Sequence, residues 1–265
     1  MLKRDGRELA RRNDERTLKA IHKFSWLRTR CVAALLFMPR LKATDNFKLV
    51  VIAVPATARR MAQRTLARLR EQRKVIWIKA PDGSRIYGLS ESGARQLVDL
   101  GIPAKSGKDS IRRVSLSYFH HRRLANEVAI CALLQGFRAS SEHEIAVGEW
   151  LGGQKGVHGK KPDSVVRTGQ TVVFCEVDRS RRNFRDHEKL VTWLKTMWPP
   201  DRGADEPAEL PGGHKLHKVL FLANAAFIER LIRDMREAGW TEKMIANRIQ
   251  ATKSLYVTED KFLVY

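Results

Sequence analysis

The chain has 265 residues, with 50 Lys and Arg against 29 Asp and Glu, a formal net charge of +21. An excess of that size points to a polyanionic partner, nucleic acid first, and no apolar run of about 18 residues is present to cross a membrane. Three scattered cysteines, Cys31, Cys131 and Cys175, suit neither a disulfide framework nor a zinc cluster; no apolar signal core follows Met1, so the expected compartment is the cytoplasm.

Residues 1–14 read as a basic, mobile lead-in. A helix is expected from about Asp14, with Leu18, Ile21 and Trp26 on its apolar side. A second follows from Thr29 through Val32 and Leu36 and stops before Pro39. Residues 47–54 read as a strand or buried apolar segment. Thr57 caps a third helix whose Ala58, Ala62, Leu66 and Leu69 form one stripe. Arg59, Arg60, Gln63, Arg64 and Arg68 are its polar candidates for DNA contact. A hairpin follows, Val75–Lys79 and Arg85–Leu89 about a Pro81-Asp82-Gly83-Ser84 turn, with Lys79 and Arg85 as further contacts. Helix, helix, basic helix, hairpin is the order of a winged helix-turn-helix, here spanning 15–101. Its bland alternative is an ordinary solvated arginine face.

Residues 102–115, rich in Gly, Pro and Ser at their start, read as an interdomain linker. The second domain is 116–265. It opens on a helix through Tyr118, His120, His121 and Glu127, with Leu124, Val128, Cys131 and Leu134 as its core stripe. Residues 142–151 alternate and read as a strand. The glycine-rich run 152–159 lacks the Gly-Lys-Ser/Thr ending of a phosphate-binding loop. Two β-branched runs then meet at a Thr168-Gly169-Gln170 turn. The first opens with Pro162-Asp163; the second ends with Glu176-x-Asp178. Glu176 and Asp178 share a face, because strand side chains repeat every two residues. Carboxylates gathered in this way need a cation between them, and Mg²⁺ or Mn²⁺ is the natural one. Arg179, Arg181, Arg182 and Arg185 follow, then a helix with Leu190 and Trp193, a loop over 199–215, a strand over 218–223 and a helix over 225–238. The tail at 255–257 and 262–265 reads as edge strands. The whole is α/β (α+β), with helices flanking a mixed sheet in the second domain.

A helix with Glu127, a strand starting Pro162-Asp163, a strand ending Glu176-x-Asp178 and a following helix resemble the PD-(D/E)XK nuclease core, a restriction-endonuclease-like mixed sheet. With the winged-helix front and His120-His121…Asn126-Glu127, the chain resembles the replication-relaxation proteins, related to the MobC plasmid mobilisation group. The resemblance implies that Asp163 and Glu176 bind Mg²⁺ or Mn²⁺ with Glu127 assisting, and that the metal activates water against a phosphodiester. It implies Lys at position 178; the chain has Asp178. Lys189, or the nearby Lys160 and Lys161, could supply the amine instead. His120, His121, Arg179 and Arg182 are candidate DNA contacts. Expected partners are double-stranded DNA of a plasmid origin region and relaxosome or replication proteins. The function implied is metal-dependent nicking in replication or mobilisation; the alternative is a catalytically inactive accessory or regulator. Two further readings are Tyr118 as a covalent nucleophile and a metal on His214 and His217.

Overall fold

The computed structural model describes residues 6–42, 45–178, 184–253 and 263–264. The chain divides into two compact units, one of residues 1–43, 50–120 and 263–265, the other of residues 44–49 and 121–262. Both mix helices with antiparallel or mixed sheets. No helix among the described residues is long and apolar enough to cross a membrane.

In the first unit α1 (Gly6–Phe24), α2 (Thr29–Phe37) and α3 (Ala56–Glu71) pack together. Leu18, Ile21 and Phe24 of α1 and Ala62, Leu66 and Leu69 of α3 are sealed from solvent at helical spacing. α1 begins eight residues before Asp14. The expected lead-in is helical from Gly6 because it is tied down: Arg68 of α3 donates to both Asp14 carboxylate oxygens and to the Ala10 carbonyl. Trp26 leaves the helix for a short strand β1 (Trp26–Arg28), and of residues 47–54 only β2 (Ile52–Ala53) is extended enough to pair, with Leu263–Val264 in parallel. β3 (Val75–Lys79) and β4 (Arg85–Leu89) form the expected hairpin, and β1 joins it in the order β1-β4-β3. Ser90 caps α4 (Glu91–Asp99) by accepting from the Gly93 N–H. Residues 102–115 contain α5 (Lys108–Arg112) and belong to this unit. Ile111 of α5 is buried against Trp26, Ile86 and Phe119, an apolar anchor inside a stretch otherwise composed like a linker.

α6 (Leu116–Leu134), which belongs to the second unit from His121 onward, is buried on every side from Arg122 to Ala132. β5 (Arg138–Ser140) follows. The expected strand over 142–151 is instead α7 (Glu142–Ala146), closed by a capping box between Ser141 and Glu144. Two reciprocal bonds outweigh a short alternation of apolar residues. β6 (Ser164–Thr168) and β7 (Thr171–Asp178) form the expected hairpin, with Gly169 at φ 56 in its turn. α8 (Phe184–Met197) comes next. The expected loop over 199–215 holds β8 (Ala208–Leu210) and a 3-10 turn at Pro211–Gly213, then runs into β9 (His214–Ala223), which starts four residues earlier than expected and pairs with β8. α9 (Ala225–Glu237), α10 (Glu242–Arg248) and β10 (Ile249–Lys253) complete the unit. β10 forms one edge of the sheet; the tail residues 255–257 lie outside the described residues. The sheet runs β10-β9-β7-β6-β5, with β10, β9 and β7 mutually parallel. Val165, Phe174 and Phe221 on one face pack with Leu190 and Leu194 of α8 and Leu231 of α9.

Candidate functional site

Asp163 and Glu176 are brought together by the β6–β7 register. Val165 stands opposite Phe174, Ser164 opposite Cys175, and the Asp163 N–H donates to the Cys175 carbonyl at 3.1 Å. One step further along, Asp163 therefore lies beside Glu176 on the face that carries Phe174, where opposed side chains sit about 5 Å apart at Cβ. Asp178 follows on the same face at the end of β7, buried. Glu127 is fully buried on α6.

Both hairpin carboxylates carry cationic partners. The Val177 N–H donates to Asp163 Oδ2 at 2.7 Å, and His121 Nε2 lies 3.0 Å from Oδ1. The Lys160 ammonium donates to Glu176 Oε2 at 2.7 Å. Burial alone would depress the His121 pKa; the bond and charge of Asp163, with Glu142 and Glu176 beyond it, reverse this and carry it to about 9. Burial likewise works against the Asp163 carboxylate, yet His121, Lys160 and the Val177 N–H hold its pKa below the ordinary value. The raised pKa favours the protonated, donating form of His121. Glu142 flanks the group with Arg122 Nη1 at 3.7 Å, and its burial raises its pKa.

Mg²⁺ is commonly held by one or two carboxylates, with water and substrate phosphate completing its shell. Asp163 and Glu176 supply that donor chemistry, and each Asp163 oxygen keeps a second lone pair beyond its bond to His121 or Val177. Among the described residues no group of three or more His, Cys, Asp and Glu side chains gathers as a metal cage. His214 and His217 lie on β9 rather than in a loop, and burial beside Arg248 lowers the His217 pKa.

Lys189 lies on α8 at the surface. Its side chain is exposed, 3.7 Å from Asp186 of its own helix. It lines a cleft of 840 Å³ with His158, Lys160, Arg185 and Trp193. The Lys160 ammonium reaches Glu176 of the hairpin. Its signal in the sequence was position alone, two residues before Pro162, and a side chain of that length spans the gap to the neighbouring strand. Arg179, Arg181 and Arg182 lie outside the described residues.

In the first unit Arg60, Gln63 and Arg64 are exposed on α3 and Arg59 is half-buried, while Arg68 is engaged with Asp14. Lys79 and Arg85 face each other across the hairpin, both exposed. His120 is half-buried with its ring edge-on to Phe119, and Tyr118 is partly exposed on the same first turns of α6.

The family model for replication-relaxation proteins matches residues 18–196, about two thirds of the chain. No curated protein and no solved structure matches it.

Proposed function

Because the chain belongs to the replication-relaxation family, which suggests a role in the replication or mobilisation of a plasmid or other mobile element, we propose that it binds DNA in that process and cleaves one strand of it. The first unit holds duplex DNA in the manner of a winged helix, with Arg60, Gln63 and Arg64 of α3 on the major groove. Support comes from the exposed basic face of α3 and the charge of +21. The second unit is read as a PD-(D/E)XK-like nuclease unit.

The observation that carries the reading is Asp163 beside Glu176 with the Lys160 ammonium on Glu176 at 2.7 Å. Asp163 and Glu176 would hold Mg²⁺ or Mn²⁺, which when bound polarises the phosphodiester and lowers the pKa of the attacking water. Lys160 takes the place of the lysine absent at position 178: it orients Glu176 and offers a proton donor to an oxygen that gains charge. His121 fixes the Asp163 carboxylate and adds positive charge where a phosphate would rest.

A second reading is an accessory DNA-binding protein without cleavage. Asp178 in place of lysine favours it, as do the protein's own cations on both carboxylates. The test is nicking of supercoiled plasmid with Mg²⁺ or Mn²⁺, wild type beside Asp163→Ala and Glu176→Ala, on candidate origin DNA and on unrelated plasmid. Metal-dependent nicking lost in both variants supports the nuclease. Intact, salt-sensitive DNA binding with no nicking supports the accessory protein. Nicking that survives both substitutions rejects this site.

A further inference from the structure

The β3–β4 hairpin presents an aromatic side chain that the packing of its unit does not explain. Ile76, Ile78 and Ile86 face inward, against Trp26, Ile111 and Phe119. On the other face Val75, Tyr87 and Leu89 are buried at the base of the hairpin, and towards the tip Trp77, Lys79 and Arg85 are exposed. Trp77 keeps 38 % of its surface in water. The Arg85 guanidinium stacks over the indole, 4.7 Å from the ring centroid. The tip itself is braced: Asp82 Oδ1 accepts from the Ser84 N–H at 3.0 Å and its hydroxyl at 2.6 Å, Oδ2 lies 3.4 Å from Arg28, and the Ala80 N–H donates to the Ser84 carbonyl at 2.7 Å. The indole is therefore held on a rigid support.

An exposed indole under a guanidinium, with a lysine beside them, matches the chemistry of an unpaired nucleotide. The base stacks on the Trp–Arg pair and the phosphates meet the cations. A base inside a duplex has both its faces covered by neighbours and offers no ring surface of this kind. We propose that this hairpin is a single-strand DNA site, which captures an unstacked base through Trp77 and Arg85 while Lys79 contacts the backbone. It goes beyond the cleavage reading and does not depend on it.

The test is binding of a labelled oligothymidylate, an abasic strand of the same length and a duplex, all in chelator so that cleavage plays no part. The proteins are full-length wild type, Trp77→Ala, Trp77→Leu and Trp77→Phe, each checked by thermal melting. Removing one stacking partner weakens single-strand binding by about tenfold or more. Trp77→Ala and Trp77→Leu should both show this, Trp77→Phe should retain most of the affinity, and duplex binding should be unchanged. Wild type should also bind the abasic strand more weakly than oligothymidylate. Unchanged oligothymidylate binding in the leucine variant overturns the proposal. So does an equal loss on single strand and duplex, or an abasic strand bound as tightly as a normal one.

Discussion

Lys160 and Glu176 meet at 2.7 Å across the mouth of the β6–β7 hairpin, the carboxylate almost wholly buried and the lysine largely so. A buried carboxylate that loses a charged hydrogen-bond partner costs on the order of 2 kcal/mol. Lys160→Met should therefore lower the stability of the second unit by about that amount, and Glu176→Gln should lower it less, because a neutral amide tolerates burial better. In the double variant much of the cost of Lys160→Met should vanish. A double-mutant cycle by chemical denaturation measures it, and strictly additive effects would show that the two residues do not interact.

The His121–Asp163 bond makes stability depend on pH in a definite direction. His121 has a folded pKa of about 9 against an ordinary 6.5, so its contribution is complete below about 6.5 and is lost as the pH rises through 9. Asp163 is shifted the other way, so its contribution is present above the ordinary carboxylate value and is lost only in acid, as the pH falls through its lowered pKa. Between pH 6.5 and 9 the melting temperature of the wild type should fall more steeply than that of His121→Gln. Parallel profiles would remove the bond from the account.

Much of this arrangement is legible in the sequence, and most of what is not depends on contacts between distant residues. The β6–β7 hairpin and the basic helix α3 could be read because β-branched runs around a Gly turn, and an apolar stripe at helical spacing, are local signals. The partners of the acidic residues could not. His121 lies 42 positions from Asp163 and Lys160 lies 16 from Glu176, so tertiary packing alone makes those pairs. One difference is local: the Ser141-x-x-Glu144 capping box is present in the sequence, and its two reciprocal bonds outweigh the short alternation that reads as a strand. Residues 199–215, full of Pro and Gly, concealed β8, whose three residues are held by pairing to β9 rather than by their own preference.

Arg64 and Arg68 separate contact with DNA from support of the fold. Arg64 is exposed, while Arg68 is bonded to Asp14, which is buried. Arg64→Ala should weaken duplex binding and reduce the salt dependence of the binding constant by about one unit of log–log slope, with no change in melting. Arg68→Ala should instead cost about 1–2 kcal/mol of stability, because it strands the Asp14 carboxylate. Binding isotherms at several salt concentrations, beside melting curves, decide it. The reverse pattern would place Arg68 on the DNA and leave Asp14 without its assigned role.

Gly93 sets how closely α4 can approach the start of β3. It lies in the first turn of α4, and a Cβ built on it would stand 2.0 Å from the Lys74 carbonyl oxygen. That oxygen already accepts from the Ser90 N–H at 3.1 Å, and Ser90 is the cap of the same helix. The clash is therefore with backbone held at both ends, and no side chain can rotate away to relieve it. Gly93→Ala should destabilise the first unit by about 1–3 kcal/mol, although alanine is the better helix former by about 1 kcal/mol. Ser90→Ala, which removes the cap and leaves the space open, should cost about 1 kcal/mol. Thermal melting of the two variants ranks the effects. A Gly93→Ala protein as stable as the wild type would mean that α4 shifts freely, and that the close approach of helix and strand is not a constraint on this unit.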